Sequence, residues 1–175
     1  MSNFGSKLIL ATIMGALSFE AFAGGTEWAL YPAGGGLNLK QDGEIHFIPF
    51  GTDQAEVEKL ARKLWGEPAH SGSLEECGAG PMDYDAFENS MTLHFQEEAF
   101  EGWFMEQGAA IETSSGLGLG STLSDVRATL FHEIEVEETT LGHEFWSESL
   151  FGIVSGPEET DVVEALWSGV SCLFR

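Results

Sequence analysis

Residues 93–103 read LHFQEEAFEGW, and fifty positions later residues 143–153 read HEFWSESLFGI. Phe95 aligns with Phe145, Phe100 with Leu150 and Gly102 with Gly152. Each stretch reads as two short strands around a polar turn, Glu97-Glu98 in the first and Ser147-Glu148 in the second. Neither turn carries the Asn-Gly chemistry of a tight hairpin. Strict alternation assigns Leu93, Phe95, Phe100 and Phe104 to the core side of the first hairpin, and Phe145 and Leu150 to that of the second. The opposite face then carries Gln96, Glu101 and Trp103 in the first copy, with Trp146, Phe151 and Ile153 in the second. Exposed aromatics of this kind have the composition of a binding hot spot. Trp103, Trp146, Phe151 and Ile153 are therefore the candidate binding residues.

Upstream of each hairpin lies a second matching phrase, FGTDQAEVEKL at 50–60 and LGSTLSDVRATL at 119–130. In the first, Val57, Leu60, Ala61 and Leu64 recur at helical spacing, with Asp53 and Glu56 placed as N-cap and N3 residues. Gly66 and Pro68 stop that helix. In the second, Leu123, Val126 and Leu130 give the same stripe, and Thr122 with Asp125 takes the capping positions. The two phrases stand sixty-nine positions apart and the hairpins fifty, so the first copy carries nineteen extra residues. They fall in WGEPAHSGSLEECGAGPMDYDAFEN, which is loop-like in its Gly, Pro, Ser and Asp content. Two matched elements in one order predict a duplication, residues 24–110 forming the first half-repeat and 111–175 the second. TEWALY, EIHFIPF and IEVEET add strand-like residues, and the terminal VVEALWSGVSCLF reads as a strand pair about Gly169, with a helix followed by a strand as the alternative.

The order of a Gly-hydroxyl helix start, a hairpin and a final SGVSC strand (168–172) resembles the β-lactamase-inhibitory-protein-like fold. It is similar to that of the small BamE-type outer-membrane assembly lipoproteins. A closer likeness is to uncharacterised exported bacterial proteins carrying an ECGAGPM-type loop. The resemblance implies an α+β fold, with two tandem helix-plus-β-hairpin half-repeats forming a curved antiparallel sheet and the helices on one face. It also implies binding in place of catalysis. This chain departs from the lipoproteins in having Gly24, not Cys, directly after the expected cleavage site, and from the inhibitors in having one Cys per half.

That leader is MSNFGSKLILATIMGALSFEAFA, residues 1–23: one Lys, an apolar run and an Ala21-Phe22-Ala23 cleavage site before Gly24. It reads as a signal peptide, since the run is too short for the ~20 apolar residues of a spanning helix. The expected location is periplasmic or secreted. The mature chain would keep 6 basic and 28 acidic residues, a net charge of −22. Such a charge repels nucleic acid and anionic membranes, so neither is an expected partner. In an exported protein the two cysteines, Cys77 and Cys172, are expected to pair as a disulfide.

Signals for chemistry are sparse. HEIEVEE (132–138) lacks the second His of a zinc-hydrolase helix. DYDAFEN (83–89) brings Asp83, Asp85 and Glu88 into one stretch, a calcium candidate without the Gly and distal Glu of an EF-hand. No nucleophile elbow, Walker loop or dinucleotide fingerprint occurs, and no cofactor is expected. The leading reading is an exported, non-enzymatic module that binds a protein or peptide. The rival is a hydrolase of an envelope or extracellular polymer, working through two of the carboxylates. Intact mass of the exported protein is expected to correspond to a chain starting at Gly24; a retained leader would remove the basis for both location and disulfide.

Overall fold

Both capped segments are helical in the computed structural model, which describes residues 28–130 and 134–173. The leader 1–23, with His132 and Glu133 of HEIEVEE, lies outside the described residues. Helix α1 spans Gln54–Trp65, and the Glu56 N–H donates to the Asp53 carboxylate at 3.1 Å. Gly66, at φ +92°, ends it by donating its N–H to the Arg62 carbonyl. Helix α2 spans Leu123–Leu130 and opens on a reciprocal cap. The Asp125 N–H donates to the Thr122 hydroxyl at 3.1 Å, while the Asp125 carboxylate accepts the Thr122 N–H at 2.9 Å. Hydrogen bonds from the Thr122 side chain and backbone hold the Asp125 carboxyl below its ordinary range.

The strands form two sheets. A small antiparallel meander joins β1 (Trp28–Ala33), β2 (Gly36–Gln41) and β3 (Glu44–Pro49). The large sheet contains β5 (His70–Leu74), β6 (Met82–Ala86), β7 (Met91–Gln96) and β8 (Ala99–Met105), followed by β9 (Val136–Thr139), β10 (Gly142–Trp146), β11 (Phe151–Val154) and β12 (Val163–Gly169). Its spatial order is β5-β6-β7-β8-β12-β11-β10-β9, with the short β4 (Thr52–Asp53) also pairing with β8. Two four-stranded meanders thus meet edge to edge along the antiparallel pair β8–β12. On one face of this sheet, Leu93, Phe95, Phe100, Trp103, Phe145 and Leu166 join a single core. Val57 and Ala61 of α1, Leu123 and Val126 of α2, and Leu30 and Leu37 of the small sheet complete it.

The tandem α+β architecture expected from the sequence is therefore incorrect. The described chain is mostly antiparallel sheet, 45% strand against 14% helix, in twelve strands and two helices. Three physical causes account for the error. The supposed insertion holds two strands, β5 and β6, whose Ser71 and Ser73 side chains hydrogen-bond to Asp85 and Asp83 opposite. The hairpins matched at an offset of fifty occupy different places: β7–β8 ends its meander, whereas β10–β11 lies in the middle of the other. The strand facing β8 at the centre of the sheet is β12, which the repeated pattern does not include. Among the described residues the terminal segment makes this one strand alone, and Gly169 at φ +72° turns the chain out of it.

Alternation also fails at one residue of β8. His94 pairs with Gly102 but Phe95 pairs with Phe100, so Glu101 is an extra, bulged residue. Beyond it the phase is reversed. Trp103 and Met105 face inward with Phe100, while Phe104 turns outward. Trp103 is fully buried, and its indole N–H donates to the Ala33 carbonyl at 2.9 Å.

The β7–β8 turn has positive φ at both Glu97 (50°) and Glu98 (62°), the conformation that Asn-Gly adopts readily and most other L-residues resist. Replacing the pair by Asn-Gly is expected to raise unfolding stability by roughly 1 kcal/mol. Urea denaturation reads this as a higher midpoint at constant slope, and an unchanged midpoint would contradict it.

Candidate functional site

The outer face of the large sheet carries a row of aromatics set by strand register. Trp146 of β10 stands directly opposite Phe151 of β11, Phe151 opposite Trp167 of β12, and Trp167 opposite Phe104 of β8. Residues directly opposite one another share a face, so four neighbouring strands each supply one ring. Trp167 is held between Phe104, with ring centres 5.9 Å apart, and Phe151, at 6.0 Å and an interplanar angle of 17°. Trp146 lies at the open end of the row and is 41% exposed. Beside it is a cavity of about 230 Å³ lined by Glu144, Phe145, Trp146, Phe151 and Trp167. On the opposite, inward face of the same strands, Gly152 leaves room for the core ring of Phe145, with which a Cβ there would collide.

Of the four sequence candidates, the structure brings three together. Trp146, Phe151 and Ile153 occupy the outer face of β10 and β11, the last opposite Glu144. Trp103 is on the other side, in the core, because of the bulge at Glu101. Phe104 and Trp167 belong to the outer row and were missed, as was Glu144. A second apolar surface was missed too. Ile45 (67% exposed) and Phe47 (53%) project from β3, the edge strand of the small sheet. The alternation in EIHFIP was a visible signal for it.

The calcium candidates are engaged elsewhere. Asp83 and Asp85 alternate along β6 on the inward face, opposite Phe95 and Leu93. Asp85 is buried, bonded to Ser71, with an Arg62 guanidinium nitrogen of α1 at 3.4 Å. Glu88 lies beyond the strand in the following turn. Among the described residues, no group of three or more His, Cys, Asp or Glu is placed to hold a metal ion. No described helix is long and apolar enough to cross a membrane.

The C-terminal segment runs from the centre of the sheet towards the β5–β6 loop. The Val170 N–H donates to the Glu101 carbonyl, and a Cβ on Gly102 would collide with Val170. His94 of β7 is buried in the same region. Burial lowers its pKa to about 4, with a hydrogen bond to the Val170 backbone acting in the opposite direction, so it is neutral at physiological pH. The segment brings Cys172 to Cys77. Both are free thiols here; burial, then the hydrogen bond and charge interaction with Cys77, push Cys172 up to about 11. A thiol so protonated is a poor nucleophile at neutral pH.

No family model, curated protein or solved structure matches this chain, so the functional reading rests on the geometry alone. The apposition of the two thiols gives a direct test. Air oxidation is expected to be slow, whereas a thiol–disulfide oxidant joins Cys77 to Cys172 and stabilises the fold by at most about 4.7 kcal/mol. A non-reducing peptide map should recover the linked pair, and a map with both thiols still free after such treatment would refute it.

Proposed function

We propose that this protein is an exported, non-enzymatic module that binds a protein or peptide through the outer face of its large sheet. The observation that carries the reading is the in-register row Phe104–Trp167–Phe151–Trp146 with its exposed end and adjoining cavity. Three of the four rings are stacked or half-buried and so are pre-organised, which reduces the entropy lost on binding. Trp146 is a large, amphipathic side chain at the accessible end, the residue type most enriched at binding hot spots. Export, to the periplasm or the exterior, follows from the leader sequence.

The carboxylate-hydrolase reading fares worse on geometry. That reading asks for a cleft holding two desolvated acids. The buried acids among the described residues are Asp85 and Glu144. Asp85 shares the inward face with Leu93, and Glu144 shares the outward face with Ile153. The sheet separates them, so they cannot address a common substrate.

The test is capture from envelope extract on immobilised full-length protein, with identification by mass spectrometry. A Trp146→Ala variant is expected to lose the captured partner while its Tm falls by no more than about 4 °C, the size expected of a half-exposed side chain. Equal recovery by both proteins would reject the outer face as the docking surface. A much larger fall in Tm would assign Trp146 to the core.

A further inference from the structure

The turn before β3 fixes which of its backbone groups face outward. Asp42 (φ 52°) and Gly43 (φ 88°) form a two-residue hairpin loop, closed by the facing pair Gln41 and Glu44. Facing pairs of an antiparallel ladder alternate between those that exchange both backbone hydrogen bonds and those that exchange none. Glu44, His46 and Ile48 therefore bond to Gln41, Leu39 and Leu37 of β2, while the N–H and C=O groups of Ile45 and Phe47 point away from it. No described strand pairs with that flank. Pro49, which has no N–H, ends the open stretch. The same two residues carry the most exposed large apolar side chains of the described chain. Glu44 and His46 alternate with them on the other face, Glu44 Oε2 lying 3.8 Å from His46 Nε2, and the Glu44 side chain is 81% exposed. Asp42 adds a second exposed acid at that end of the strand.

We propose that β3 takes up an extended segment of a partner protein as a further strand of the small sheet, a segment in which apolar residues alternate with lysine or arginine. This surface is separate from the aromatic row of the large sheet and does not depend on it. In strand addition the main chain supplies the affinity, and the alternate side chains supply the specificity. Partner residues opposite Ile45 and Phe47 share their face, so apolar side chains there extend the exposed pair and remove it from water. The residues between them lie on the face of Glu44, where a cationic side chain meets an exposed carboxylate across the pair. The net charge of −22 steers such a segment towards the protein from a distance. It also disfavours a second copy of this chain as the occupant, because two molecules of that charge repel.

The experiment uses the full-length protein and three acetylated, amidated peptides: Lys-Val-Lys-Val-Lys-Val, the same peptide with N-methylated valines, and Glu-Val-Glu-Val-Glu-Val. Backbone amides are followed by NMR. The lysine peptide is expected to shift the Ile45 and Phe47 amides and, at saturation, to slow their hydrogen exchange at least about tenfold. N-Methylation keeps the side chains but removes the pairing donors, and should weaken binding at least about tenfold. The glutamate peptide should bind at least about tenfold more weakly as well. Phe47→Pro removes one outward N–H while leaving the bonds to β2 in place, and should weaken the lysine peptide to a similar extent. Should proline unsettle the hairpin, Glu44→Gln serves as a milder probe, with an expected loss of about twofold. If the lysine peptide leaves the Ile45 and Phe47 amides unmoved, the proposal is overturned. Equal binding of the N-methylated peptide would overturn strand addition, and equal binding of the glutamate peptide would overturn the basic partner. Amides already protected in the free protein, and released on dilution, would assign the edge to a second copy and overturn the proposal.

Discussion

One extra residue in β8 decides what the two faces of the large sheet carry. Without the bulge at Glu101, Phe104 would point into the core and Trp103 towards the outer face. With it, the core gains the largest side chain it holds, fixed by a hydrogen bond to Ala33 of the small sheet. The outer face gains Phe104, which packs on one side of Trp167. Both the packing of the small sheet against the large one and the continuity of the aromatic row follow from that shift of phase. A bulge leaves one residue outside the regular ladder. Here its carbonyl is used to accept the Val170 N–H and guide the chain out of β12.

Close to that point, side-chain hydrogen bonds from β12 tie the small sheet to the large one. The Ser168 hydroxyl of β12 accepts the Gly35 N–H at 2.9 Å and donates to the Ser149 carbonyl at 2.5 Å. One small side chain thereby links the β1–β2 turn, the β10–β11 turn and the central strand. Buried groups satisfied in this way specify one arrangement, because any alternative packing leaves a donor or acceptor unmet. Arg62 plays a comparable role from α1, reaching Glu58 on its own helix, Glu67 beyond it and Asp85 on the sheet.

What could be read from the chain was local. The caps of both helices are written in side chains three residues apart, Asp53 with Glu56 and Thr122 with Asp125, and they form as the spacing requires. Alternation correctly set Trp146, Phe151 and Ile153 to one side of their hairpin, since no irregularity interrupts β10–β11 there. It failed for Trp103 because nothing in EAFEGWF marks where the additional residue sits. β5 was illegible for a different reason. HSGSL has few strand-forming residues, and its place in the sheet comes from β6 and from serine–aspartate bonds across the pair. Trp167 lies in an apolar run whose two sides cannot be distinguished by period. Glu144 is one acid among twenty-nine and is singled out only by its burial.

The edge strand β3 has a colloidal consequence. Ile45 and Phe47 stand on a strand whose outer flank no described strand pairs with, the kind of template on which copies of a chain stack into aggregates. No lysine within β3 discourages such stacking. The protection is global: each copy carries the same large negative charge, and approach of two edges is opposed before any backbone group can pair. Acid, which protonates the carboxylates, and concentrated salt, which screens them, both lower that barrier. The acidity of the chain therefore acts as its solubilising coat, allowing an apolar strand to remain uncovered.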